Sequence, residues 1–216
     1  MPYIRGIVQQ AYEKDIPETF SRIGIRIISG SASFVDSRRV EAAGQILSAR
    51  KFIIAAGTSP LVPTVPGMEE IGFLTNETLY SLEDLPESVI ILGGGVDGLE
   101  YASAFVRLGV ETTVIEAAER FVPSADIELV NHLLRSLRGE GVRLLRGARP
   151  VDFRNEAGRA VLRYRQNDGP CAEISANRVL IAVGRKPDLE GLGLEKAGVA
   201  CNSRGVITDR KLRTSA

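Results

Sequence analysis

Apolar residues fall first at Tyr3/Ile4, Ile7/Val8 and Ala11/Tyr12, a spacing of three to four that predicts a helix ending near Pro17. Residues 20–23 fit one further turn. The period then shortens. Ile25, Ile27 and Ile28, then residues 33–35 and 40–42, predict short strands of a small antiparallel layer, with turn residues between them. Residues 52–56 predict another strand, closed by Gly57-Thr58-Ser59-Pro60. Pro60, Pro63 and Pro66, followed by Gly67, predict an extended crossing segment and a domain boundary. From Ser88 the order becomes strand, glycines, helix, strand, helix, strand. Residues 89–92 are continuously apolar, as a strand buried on both faces should be. Leu99, Ala102, Phe105 and Val106 mark one stripe of a helix over 97–108 that stops at Gly109. A second strand covers 112–116. A second helix follows, capped by Ser124 or Asp126, with Ile127, Val130, Leu134 and Leu137 on its face. After a third strand at 142–145 comes a meander through 151–153, a turn at 155–158, alternating Ala160, Leu162 and Tyr164, and a return to 179–183. The predicted fold class is α/β, a parallel sheet with helices and a small antiparallel layer.

Composition narrows the functional classes. The 216 residues carry 27 Lys plus Arg and 27 Asp plus Glu, so the formal net charge is zero. That argues against a nucleic-acid surface, which needs excess basic charge, but not against a phosphate site built from backbone amides. No apolar run approaches the roughly 20 residues of a membrane helix, and MPYIRGIVQQ lacks a signal-peptide core. Cys171 and Cys201 are spaced neither as a disulfide framework nor as a metal cluster. A cytoplasmic globular chain with no metal site and no membrane or nucleic-acid partner is expected.

The sharpest motif runs Gly93-Gly94-Gly95-Val96-Asp97-Gly98, in which Gly93, Gly95 and Gly98 match G-x-G-x-x-G between a strand and a helix. The first glycine makes the tight turn, the second lets a pyrophosphate approach backbone amides, and the third packs helix on strand. The phosphates then meet the positive end of a helix. Glu116 stands at the next strand end, 18 positions past Gly98, where a carboxylate accepts ribose hydroxyls and repels a 2′-phosphate. Arg120 lies four positions on and suits a 2′-phosphate, but Glu116 is in the expected place, so NAD(H) is favoured. Asp97 fits badly: pointed inward it opposes a pyrophosphate, pointed to solvent its effect is screened. The sequence alone leaves both orientations open.

Taken together, the motifs resemble the pyridine nucleotide-disulfide oxidoreductases, FAD enzymes of the dihydrolipoamide dehydrogenase and mercuric reductase kind. Residues 52–60 (FIIAAGTSP) resemble the strand end beside the flavin, and residues 61–67 (LVPTVPG) the crossover between the FAD and NAD domains. Residues 74–88 are most similar to the mercuric-reductase-like branch, residues 179–188 to the close of the NAD domain, and residues 192–216 to the return toward the FAD domain. The resemblance implies a Rossmann-like FAD/NAD(P)-binding fold divided into 1–66 (part of an FAD domain), 67–188 (NAD domain) and 189–216 (return segment). It implies cofactor contacts at Gly93, Gly94, Gly95, Val96, Gly98 and Glu116 for NAD(H). By the same resemblance, Val183 and Gly184 are expected beside the nicotinamide half, Glu100 facing the flavin, and Ala56 and Gly57 on the FAD side.

Departures accompany it. The first FAD glycine motif, the redox C-x-x-x-x-C and the C-terminal dimerisation domain with its His–Glu pair are absent, so the chain is expected to be the central piece of a homodimeric enzyme. Cys171 in a turn and Cys201 in a loop are expected to be bystanders, His132 a solvated helix residue, and no residue of this chain catalytic. A non-catalytic dinucleotide-binding sensor is the alternative. A short-chain dehydrogenase is set aside because no tyrosine has lysine four positions later.

Overall fold

The computed structural model describes residues 2–13 and 17–216. In chain order the helices are α1 (Pro2–Glu13), α2 (Pro17–Arg22), α3 (Met68–Ile71), α4 (Val96–Arg107) and α5 (Ile127–Gly139). The first seven strands are β1 (Ala32–Asp36), β2 (Arg39–Ala42), β3 (Gln45–Ser48), β4 (Thr58–Pro60), β5 (Ser88–Leu92), β6 (Glu111–Ile115) and β7 (Arg143–Leu145). They are followed by β8 (Ala148–Glu156), β9 (Arg159–Gln166), β10 (Cys171–Ala176), β11 (Arg178–Ile181), β12 (Arg185–Pro187), β13 (Cys201–Asn202) and β14 (Gly205–Val206). The chain forms two compact units, one of Met1–Gly6 with Pro60–Gly184 and one of Ile7–Ser59 with Arg185–Ala216.

The first unit is built on a parallel sheet of order β11-β5-β6-β7. All five residues of β5 are buried, because both faces of the sheet are covered. Val89 and Ile91 turn to one face and meet Leu99, Phe105, Val130, Leu134 and Leu137 from α4 and α5. Ile90 and Leu92 turn to the other and meet Phe153, Leu162 and Tyr164 of the antiparallel meander β8-β9-β10. At about 1.5–3 kcal/mol for each large apolar side chain fully buried, these two layers dominate the unit's stability. The run of 89–92 is therefore apolar without alternation for a positional reason: each side has its own core. Asp126 caps α5, its carboxylate accepting N–H bonds from Glu128 at 2.8 Å and Leu129 at 3.3 Å. Ile127, expected on the buried face, is instead 46% exposed in the first turn.

The second unit holds the antiparallel sheet β1-β2-β3 and a smaller core of Phe34, Leu194, Ala197 and Val199. Phe52 packs edge-to-face on Phe34 with ring centroids 5.1 Å apart. Two expected strands do not form. Residues 25–28 and 52–56 lie outside any strand, although 52–56 alternate between half-buried and exposed as a strand would. Alternation reports burial, whereas a strand also needs a neighbour to bond. The strand in this region comes later, where β4 pairs with β12. β3 escaped the pattern because Gln45-Ile46-Leu47-Ser48 has only two apolar positions.

Candidate functional site

In the first unit, β7-β6-β5-β11 places the first strand of the βαβ series beside the last, so the connections leave β5 and β11 in different directions. Such a switch point opens a crevice beyond the carboxyl ends of the strands. A cleft of about 470 Å³ lies there, within the range of small-molecule sites. Gly93, Gly95, Val96, Asp97, Glu116, Val183 and Gly184 all line it. Its remaining walls are apolar, from Val65, Leu92, Ile115, Pro123 and Pro150 among others.

The glycines separate by geometry. Gly93 has φ 108, and a Cβ there would strike the carbonyl of Ala182 at the end of β11. A Cβ on Gly98 would strike the Gly93 carbonyl oxygen, so α4 lies directly on the turn. Gly95 differs: nothing lies within 4 Å of its Cβ position, and it borders the cleft. Gly95 is also the N-cap of α4 and offers no side chain, so the first-turn N–H groups are left for an acceptor from outside the helix.

Gly94 is fixed from three sides. Its N–H donates to Glu116 Oε2 at 2.7 Å, and its carbonyl accepts from the N–H of Val122 at 3.1 Å. The place of its missing side chain is filled by the buried ring of Phe121. Glu116 accepts a second bond on Oε1 from the Ala118 N–H, also 2.7 Å. Each carboxylate oxygen thus spends one lone pair on orientation and keeps another for a ligand hydroxyl. Val122 pays for this strap with φ 40, a left-handed conformation unusual for a β-branched residue. Periodicity gave no sign of the segment Phe121-Val122-Pro123. The available signal was Gly94 itself, a glycine the G-x-G-x-x-G pattern does not require.

Glu100 is exposed on α4 and is not among the cleft residues. Ala56 and Gly57 belong to the second unit, where Gly57 has φ 77 and its carbonyl accepts from the Asp188 N–H at 3.2 Å. Arg120 is exposed, does not line the cleft, and donates to the Ala125 carbonyl at 3.3 Å. His132 is exposed on α5. Cys171 opens β10 and Cys201 lies in β13, rather than in a turn and a loop, and both thiols are exposed. No described helix is long and apolar enough to cross a membrane.

A family model described as pyridine nucleotide-disulphide oxidoreductase matches residues 7–216. The chain belongs to this family. Similar proteins include the mercuric reductase of Staphylococcus aureus, 33% identical over 97% of this chain and 38% of that protein. The dihydrolipoyl dehydrogenase of Thermus scotoductus is 35% identical over 89% of this chain and 42% of its own length. Among solved structures, the Cu(II) complex of the HOCl-induced flavoprotein disulfide reductase RclA from Escherichia coli superposes with a TM-score of 0.86. It is 28% identical over 98% of this chain and 48% of the other. The chain spans less than half the length of these relatives. The α/β fold with its parallel sheet is thus shared with part of a flavoprotein disulfide reductase.

Proposed function

We propose that the cleft binds NAD(H), and that in the whole protein this chain serves an FAD-dependent oxidoreductase acting on a disulfide or on a metal or thiol acceptor. The observation that carries the reading is the open side of Gly95. Gly95 and Val96, at a helix N-terminus, line the cavity, and an oriented carboxylate stands at the neighbouring strand end. A pyrophosphate fits against Gly95 and Val96, and the adenosine ribose fits on the free lone pairs of Glu116. Val183 and Gly184 form the wall for the nicotinamide half. NADH supplies hydride to the flavin when both are bound. The residues here contribute position and choice of ribose. We assign NAD binding to residues 67–188 and the FAD side to the segment containing Ala56 and Gly57. With only Cys171 and Cys201, 30 positions apart, this chain alone is inactive in disulfide reduction.

Preference for NADH over NADPH follows from charge. Glu116 and Asp97 are the charged residues of the cleft, and no Lys or Arg lines it among the described residues, so a 2′-phosphate meets only repulsion. Paired fluorescence titrations with NADH and NADPH test this. NADH should bind more tightly, and Glu116→Ala should weaken it by about 10–100-fold, the loss of one or two hydrogen bonds to a charged acceptor. Melting temperatures of both proteins control for damage to the loop. Tighter binding of NADPH would overturn the assignment of Glu116, and binding of neither would overturn the cofactor.

A further inference from the structure

Asp97 is the second residue of α4, exposed, and on the wall of the cleft. Its helix begins at a glycine that provides no capping side chain, so in the free protein this carboxylate is the anion that serves the positive end of the helix. A phosphate bound at the same first turn must share that field with a negative neighbour. The other charged group of the cleft, Glu116, is also an acid. Both charged side chains that line the cleft therefore repel an anion, and the attraction offered by the lining comes from amide dipoles and hydrogen bonds.

We propose that Asp97 acts as a built-in competitor for the phosphate-binding end of α4, keeping the cleft's affinity for dinucleotides low and making that affinity rise with ionic strength. The inference rests on the NAD(H) reading above. Its signature is unusual in two ways. Protein sites that hold phosphates with Lys or Arg lose affinity as salt is added, whereas screening here removes a repulsion. In addition, one carboxylate has opposite effects on the two states. It stabilises the free helix and destabilises the bound complex, so its removal should lower stability and tighten binding together. A purely structural role predicts lower stability with equal or weaker binding.

The test uses the full chain with NADH as the probe, at about 0.02 M and about 0.5 M NaCl, in wild type, Asp97→Asn and Asp97→Glu. Repulsion between one carboxylate and two phosphate charges at the surface corresponds to about tenfold in affinity at low salt. Asp97→Asn should therefore bind about tenfold more tightly than wild type at low salt and within about threefold at high salt, where the Debye length is only several ångströms. Asp97→Glu should keep the wild-type salt response, and the melting temperature of the free Asn variant should fall by about 1–3 °C. Binding by the Asn variant alone would support the proposal most directly. Equal or weaker binding by Asp97→Asn, with NADH still bound, would overturn it and leave the NAD(H) site standing. No binding by either protein at either salt would overturn both.

Discussion

A methyl group added at Gly95 would meet nothing within 4 Å, while one added at Gly98 would collide with the carbonyl oxygen of Gly93. The two residues occupy equivalent places in a sequence motif and have opposite physical constraints. Gly95 has φ −74 and ψ −171, a conformation open to any residue, so Gly95→Ala should change stability by less than about 1 kcal/mol. Its Cβ would fill the space of the bound phosphates, so NADH affinity should fall more than about tenfold. Gly98→Ala should cost about 2 kcal/mol or more, because the obstructing atom is backbone and cannot rotate away. Thermal melts and NADH titrations on the two variants check both halves, and a destabilised Gly95→Ala would refute the assignment. At this scale the sequence was informative where chemistry depends on residue type at fixed spacing. The places of Gly93, Gly95 and Gly98 in the strand–helix turn and of Glu116 at the next strand end were legible for that reason. Phe121 and Val122 were not, because an apolar residue at a strand exit looks the same whether it plugs a glycine or faces water. The bonds from Glu116 to the Gly94 and Ala118 amides were equally hidden, since backbone partners leave no mark on composition.

Among the elements, β5 was readable because burial on both faces leaves a continuous apolar run, and β9 because burial on one face leaves alternation, whereas β10 was not, its start at Cys171 reading as a turn. The outer side of the meander carries cross-strand ion pairs. Arg154 bonds both carboxylate oxygens of Glu173, at 2.9 and 2.7 Å, and Arg163 bonds Asp152 of the facing strand. The Arg154 hydrogen bonds hold the Glu173 carboxyl below its ordinary pKa. Glu140 is lowered in the same way by Arg107, and Asp36 and Asp209 chiefly by backbone N–H groups of Arg38 and Arg213. A carboxylate whose pKa is lower in the folded state contributes stability that is present above its unfolded value and lost as pH falls through the folded one. Stability should therefore be nearly flat from about pH 8 to 5 and decline below about pH 4, where ordinary carboxylates begin to protonate. Glu173→Gln should change little at neutral pH, since these pairs are solvent-exposed, and should make the acid decline shallower. Urea melts across pH 3–7 read both slopes, and a decline equally steep in the variant would exclude the Glu173 pair as a contributor.

For the whole molecule, the two units differ in how far their apolar surface is covered. The first has a core on each face of its sheet, with Ile91, Val114, Leu162, Val179 and Leu180 completely buried. The second gathers Leu194, Ala197 and Val199 around Phe34 and leaves Ile23, Ile25, Ile27, Ile46 and Ile53 exposed, Ile53 at 94%. The chain spans 38% and 42% of the length of the two curated relatives. The expected strand at 52–56 forms no ladder. Apolar alternation reports burial and cannot tell whether a partner strand is present. Local opening should follow the same division, because segments with few buried contacts open at low free energy. Amides of residues 25–56 should exchange with solvent at least about tenfold faster than those of 88–145 under native conditions, the difference corresponding to about 1.4 kcal/mol or more in opening free energy. Mass-resolved hydrogen exchange measures this directly. Equal protection in the two stretches would mean that the β1-β2-β3 layer and its Phe34 core are self-sufficient, and that the exposed isoleucines need no cover.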